Sequence, residues 1–110
     1  MIEVSIRKTK DGQFRELSID GHAGYAEHGH DIVCAAVSVL VINTLNSLEK
    51  FCGTTFPVFE QEEDSGHIRV VLPEILSAEE TVLLHAMENG LQDIQKQYRK
   101  KYFRLSHEEV

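Results

Sequence analysis

Five side chains that can act as nucleophiles, acids, bases or metal ligands fall within thirteen consecutive positions. They are His22, His28, His30, Asp31 and Cys34. A cysteine thiolate is a strong nucleophile, and an imidazole can take its proton and later protonate a departing amine. The same side chains offer the nitrogen, oxygen and sulfur donors that zinc accepts. The segment therefore admits cysteine-based acyl transfer and metal-dependent hydrolysis.

The position of Cys34 favours the first of these chemistries. Residues 32–48 carry no charge and repeat apolar side chains at helical spacing, and Asp31, a preferred N-cap type, directly precedes them. With Asp31 as the N-cap, Cys34 is the third helical residue. At that place the helix dipole and unpaired backbone N–H groups favour a thiolate and could hold an oxyanion. Cys52, at the other end of the helix, is the poorer nucleophile and is interpreted as a packed apolar side chain.

His22 is the best candidate for the general base. It follows a predicted strand and Gly21, so the sheet could fix its position, whereas His28 and His30 flank Gly29 and could swing with the loop. Residue types alone favour a plainer interpretation, in which the cysteine is a small buried side chain and the histidines are solvated.

Two other classes of function stay open on the residues alone. One is a metal-dependent hydrolase that uses this loop, although no zinc-finger or His-Glu-x-x-His spacing is present. The other is a non-catalytic adaptor module, in which the loop contacts a partner and cuts nothing. No cofactor and no resident metal are predicted.

Composition indicates a single soluble domain spanning residues 1–110, with a net charge of −7. That charge disfavours direct binding of nucleic acid and suits a basic protein partner. Five of the eleven Lys and Arg residues lie between positions 96 and 104, which is typical of a solvated helix end. The start lacks the pattern of a signal peptide, and the apolar run 32–42 is too short to span a membrane. We therefore expect a cytoplasmic protein.

Hydrophobic periodicity predicts an α+β fold of order ββαββα, with two helices packed on an antiparallel sheet of two hairpins. The turn signal Asp11-Gly12 separates the first two strands, and the different parity of Phe14 and Leu17 predicts a bulge or a frayed strand start. The tail from residue 102 to 105 is either a short final strand or frayed chain.

The second half of the pattern has clear boundaries. Gly53 is predicted to end the apolar helix in the left-handed conformation. A second hairpin follows over residues 56–72, and a capping box from Ser77 to Glu80 then starts the last helix.

One ordered motif resembles a known family. It consists of Gly21-His22-Ala23, then Gly29, then Asp31-Ile32-Val33-Cys34-Ala35-Ala36, with Ser38 one helical turn further on. This string is similar to the signature of the ribosomal-processing cysteine protease (Prp) family. The order and size of the predicted strands and helices also resemble those of the family.

The resemblance implies a bacterial, homodimeric cysteine endopeptidase. Its substrate would be the precursor of the twenty-seventh large-subunit ribosomal protein, whose short N-terminal extension it removes after an aromatic residue. Carried over by motif, Cys34 would be the nucleophile and His22 the general base and acid. Asp31 and Ser38 match as possible supporting residues, while His28 and His30 receive no role.

Overall fold

The computed structural model describes residues 1–21, 28–62, 66–98 and 102–110, with the backbone alone for residues 28–31. Five strands and two helices make up these ranges. Their order is β1 (Ile2–Lys8), β2 (Phe14–Asp20), α1 (His28–Cys52), β3 (Val58–Glu62), β4 (His67–Val71), α2 (Ala78–Gln97) and β5 (Phe103–Glu109). The α+β class and the order ββαββα are confirmed, with one strand added at the end.

The strands form one sheet in the order β3-β4-β2-β1-β5. Both predicted hairpins are present and antiparallel. β5 makes the sheet mixed, because it runs parallel to β1, from Ile2 opposite Phe103 to Lys8 opposite Glu109. The tail is therefore a seven-residue strand. The purely antiparallel sheet of the prediction was wrong at this one edge.

The first hairpin contains the predicted irregularity. Its register shifts between Arg7 and Lys8, so that Lys8 pairs with Phe14. The shift, as in a β-bulge, lets the side chain of Phe14 reach the core, where it is fully buried. Gly12 takes a positive φ of 88° at the turn, a conformation that costs glycine nothing.

Both helices bury one side in the hydrophobic core, which also takes in the inward-facing residues of the sheet. The buried side chains of the helices are Val33, Val37, Val41, Leu45 and Leu48 of α1 and Leu84, Met87 and Leu91 of α2. Among the described residues, only the segment Ile32–Cys52 is long and apolar enough to cross a membrane. A core helix passes the same test, and the five buried side chains of α1 account for part of its apolar character.

The junction between α1 and α2 is closed by hydrogen bonds. Gly53 ends α1 with a φ of 66°, as predicted. The Ser77 side chain accepts from the backbone N–H of Glu80, and the Glu80 carboxylate accepts from the backbone N–H of Ser77, which confirms the capping box. The Thr54 hydroxyl also donates to Glu80, at 2.5 Å. The start of α2 is thus tied to the end of α1.

The sheet face opposite the helices carries a row of ion pairs that crosses all five strands. The row runs from Glu60 through Arg69, Glu16 and Arg7 to Glu108, with N–O distances of 2.9–3.2 Å. Each exposed pair adds little stability on its own. Together the pairs make this face polar, in contrast to the apolar face under the helices.

Candidate active site

Cys34 lies on α1 and is half-buried, packed beside the hydrophobic core. Ser38, one helical turn further on, is half-buried as well. Side chains at this spacing share one face of a helix, so the two polar groups of the motif point the same way. Cys34 is not joined to Cys52 by a disulfide, and it keeps its thiol chemistry.

The start of α1 corrects one prediction. Asp31 is not the N-cap, because the helix already begins at His28 and runs through Asp31. Cys34 is therefore the seventh helical residue and lies in the second turn. Backbone N–H groups without a helical partner belong to the first turn, and the helix dipole acts chiefly there. Sequence reasoning placed Cys34 too close to these donors, because Asp31 suits an N-cap by type and the apolar repeat begins only after it.

Several predicted site residues fall outside the described part of the chain. His22 lies in the range 22–27, and the side chains of His28, His30 and Asp31 are not described. Their distances to Cys34 therefore stay outside the structural account, and the pairing of Cys34 with His22 stays a prediction.

At Gly21, which follows β2, the chain packs closely against the backbone of Met1. Gly21 has a φ of 85°, and a Cβ atom built on it would overlap the carbonyl oxygen of Met1. Only glycine fits this approach without moving the backbone.

A polar pair on the open face of the sheet holds the same strand end. The Nδ1 atom of His67 and the Oδ1 atom of Asp20 lie 2.5 Å apart. Ile19 pairs with Ile68, which places Asp20 and His67 opposite each other in the next position of the register. Sequence analysis missed this pair, since the adjacency of β2 and β4 is not encoded locally. The one sequence signal for this contact was that Asp20 ends a predicted strand and His67 begins another.

The electrostatic surroundings of Cys52 disfavour its thiolate. Burial raises the pKa of the Cys52 thiol, and the nearby carboxylates of Glu80 and Glu79 raise it further. A raised pKa leaves less thiolate at neutral pH, and thiolate is the nucleophilic form. This agrees with the prediction that Cys52 is the poorer nucleophile.

Within the described ranges, no group of three or more His, Cys, Asp or Glu side chains could hold a metal ion. Of the five ligands considered for the metal alternative, only Cys34 has a described side chain. The described part of the molecule therefore offers nothing that favours a metal centre over the thiol.

Comparisons with known proteins agree on one family. The profile of the family described as cysteine protease Prp matches residues 1–103. The ribosomal processing cysteine protease Prp of Bacillus subtilis (strain 168) is 32% identical over 103 residues, which cover 90% of this chain and 91% of the relative.

Solved structures show the same fold. The essential ribosomal processing protease Prp from S. aureus, in complex with a substrate peptide, superposes with a TM-score of 0.90 at 27% identity, covering 98% of this chain and 100% of that chain. The same protease with a covalently linked product peptide gives a TM-score of 0.85 at 28% identity, with coverage of 98% and 100%. The fold, the half-buried thiol on α1 and a family match that spans the motif lead to one conclusion: this chain belongs to the cysteine protease Prp family and is a cysteine peptidase.

Proposed function

We propose that this peptidase removes the short N-terminal extension of the twenty-seventh large-subunit ribosomal protein in the bacterial cytoplasm, with Cys34 as nucleophile and His22 as general base and acid. The observation that carries the proposal is the family match over residues 1–103, a range that includes His22 and Cys34. The relatives are ribosomal processing proteases, and one of them holds a covalently linked product peptide. A covalent product is what nucleophilic catalysis by a cysteine leaves behind.

The reaction proceeds by acyl transfer in two steps. His22 takes the proton of the Cys34 thiol, the sulfur bonds to the scissile carbonyl carbon, and the carbon–nitrogen bond breaks as His22 protonates the amine. Water then gives a proton to His22 and attacks the thioester, the carbon–sulfur bond breaks, and Cys34 regains its proton. Ser38 shares the helix face of Cys34 and can donate a hydrogen bond towards the reacting group. Asp31 acts on the imidazole of His22 or on the local backbone.

The family membership disfavours the two other classes. A non-catalytic ribosome-assembly or adaptor module needs no reactive thiol, and a metal-dependent hydrolase activates water on its metal instead of using a thiol nucleophile. Neither class would use the thiol chemistry that defines the family.

The homodimer belongs to the same proposal. α1 exposes Ile32, Val39 and Ile42, with 49%, 68% and 39% of their surface open, and no charge occurs from Ile32 to Leu48. A solvated helix face normally carries charged side chains, so this bare apolar face fits burial against a second copy.

The test of the chemistry is incubation with the extended ribosomal protein, followed by mass measurement of the products. The wild-type protein should release the extension. Cys34→Ala and His22→Ala should each lower the rate by roughly three orders of magnitude or more, as loss of a nucleophile or its base does in other peptidases. Cys52→Ser is the matched control and should cut at the wild-type rate.

A Cys34→Ala protein that trims the precursor normally would contradict the assignment. Loss of activity in Cys52→Ser alone would move the nucleophile to the other end of α1. Activity that a chelator removes and a thiol reagent spares would revive the metal alternative.

Sedimentation tests the dimer separately. Val39→Glu should shift the protein from dimer to monomer, because it places a charge in the proposed interface. Ile75→Glu changes a side chain that is 86% exposed outside both helices, and it should leave the dimer intact. An unchanged dimer in both variants would place the interface elsewhere.

A further inference from the structure

β3 is an edge strand that nothing covers in the described part of the chain. It pairs with β4 on one side only, in an unbroken register from Val58 opposite Val71 to Glu62 opposite His67. Four of its five residues are exposed. Edge strands offer a row of backbone donors and acceptors to other chains, and proteins commonly protect them with lysine, proline or a bulge inside the strand. β3 has no lysine, proline or bulge, and the charges along it are those of two glutamates, which repel acidic strands and admit basic ones.

The two faces of this edge differ in chemistry. Phe59 lies opposite Val70, a core residue, so its ring projects on the helix side, where 47% of its surface is exposed and the ring of Phe56 lies 5.9 Å away. Glu60 and Glu62 project on the opposite side of the sheet, where Glu60 pairs with Arg69 at 3.2 Å while 54% of its side chain stays exposed. An added strand would alternate its side chains in the same way. Apolar residues would then meet Phe59, and cations would meet the two glutamates.

The charges argue against a second copy of this chain at the edge. Antiparallel self-pairing centred on Glu60 would bring two Glu60 carboxylates face to face, which destabilises a strand pair. The net charge of −7 on each copy adds to the repulsion. The charged side chains of β3 are both negative. The other edge strand, β5, carries charges of both signs, with Arg104 beside Glu108 and Glu109.

We propose that the outer edge of β3 is a docking strand for an extended, basic segment of the substrate, which adds to the sheet as a sixth strand. The inference rests on the proposed function in one respect. A ribosomal protein contacts RNA phosphates and is therefore rich in Lys and Arg, which supplies the matching charge. Backbone hydrogen bonds to β3 give affinity without regard to sequence, while Phe59 and the glutamates select the alternation of apolar and basic side chains.

The experiment is an NMR titration of the inactive Cys34→Ser protein. The probe is a synthetic peptide that spans the extension and the basic start of the mature ribosomal protein. Amide shifts should change most at residues 58–62. Glu60→Gln with Glu62→Gln should weaken the Kd about three- to tenfold, and the difference should shrink in high salt because the contacts are solvent-exposed.

Two controls make the outcome decisive. Glu49→Gln with Glu79→Gln removes two exposed glutamates from the helices and should leave the Kd unchanged. The same peptide with its Lys and Arg residues replaced by Gln should bind the parent protein and the β3 variant equally.

Shifts that avoid residues 58–62, or an equal loss of affinity in both double variants, would overturn the docking strand. A change in sedimentation with the β3 variant would instead assign the edge to self-pairing. Because binding is read without cleavage, failure of the wild-type protein to cut the precursor would remove the proposed substrate, while the titration would still decide whether this edge takes a basic strand.

Discussion

The two helices begin in opposite ways. α2 begins at a closed capping box, in which Ser77 and Glu80 satisfy each other's backbone groups and Thr54 adds a third hydrogen bond. α1 begins at His28, three residues before the aspartate that by type should have capped it. The first start is stabilised by side-chain caps that the sequence predicts, while the second lies in the motif that is proposed to carry the chemistry. A residue of N-cap type therefore predicted the start of α2 correctly, but it did not predict the start of α1, which lies in the motif.

The largest loss of stability is expected for Gly21→Ala, at the last described residue before α1. The new Cβ would overlap the backbone oxygen of Met1, at a φ of 85°. We expect a loss of about 2–5 kcal/mol in the free energy of unfolding, from the unfavourable φ and the overpacking together. Urea unfolding measures it.

Gly12→Ala is the matched control, since Gly12 has a φ of 88° but no atom within 4 Å of the added Cβ. Its loss should be about 1–2 kcal/mol, from the backbone conformation alone. Equal losses in the two variants would mean that the contact with Met1 contributes nothing.

Glu80→Ala, at the start of α2, should lower the free energy of unfolding by less than Gly21→Ala does. The change leaves the buried hydroxyl of Thr54 and the N–H of Ser77 without their acceptor, which costs about 1–3 kcal/mol. Glu79→Ala, at the exposed neighbouring position, should cost less than about 1 kcal/mol. Thermal unfolding of both proteins separates the capping box from a general effect of negative charge in the first turn.

Acid should loosen the start of α2 in a predictable direction. The backbone N–H of Ser77 and the Thr54 hydroxyl hold the pKa of Glu80 below its usual range. Stability from a lowered pKa is fully present above the unfolded value of about 4.3 and is lost as pH falls through the folded pKa. Amide exchange at residues 78–81 should therefore accelerate below about pH 4. In Glu80→Gln the exchange rate should no longer change over that interval beyond the intrinsic pH effect, and a persisting step would assign the titration to another group.

The smallest expected losses of stability compare the two residues of N-cap type, Ser77 and Asp31, directly. Ser77→Ala should cost about 1 kcal/mol, as loss of an N-cap does. Asp31→Ala should cost less than about 0.5 kcal/mol, because a residue inside a helix has no cap to lose and alanine has the higher propensity. A loss with Asp31→Ala equal to that of Ser77→Ala would restore Asp31 as the cap of α1.

Local patterns were sufficient for most of the fold. The capping box, the left-handed Gly53 and the irregularity beside Phe14 each depend on neighbours in sequence, and all were predicted. The partners of β5 and the contact of Asp20 with His67 were not, because both join segments that lie 40 or more positions apart. Periodicity identifies a strand, but it does not state which strand lies beside it.

In the candidate site, too, residue types were more informative than the predicted geometry. Residue types and order predict Cys34 as the nucleophile, which stays a prediction, and rank Cys52 below it, with which the raised pKa of Cys52 agrees. The helix-start argument for the reactivity of Cys34 was wrong in its geometry, since α1 extends further than its apolar repeat. The family match carries the peptidase assignment, and it does not depend on that argument.

The parallel pairing of β1 with β5 has a consequence for how the protein is made. β1 is synthesised first, yet the strand that covers one of its sides begins at Phe103, about a hundred residues later. While translation proceeds, the β1–β2 hairpin can close, but β1 remains an open edge and Lys8 lacks its partner Glu88 on α2. Such long-range pairing is slow and exposes the nascent chain to association. The sheet is therefore completed only after β5 has been made, so one edge of β1 stays open while residues 9–102 are synthesised.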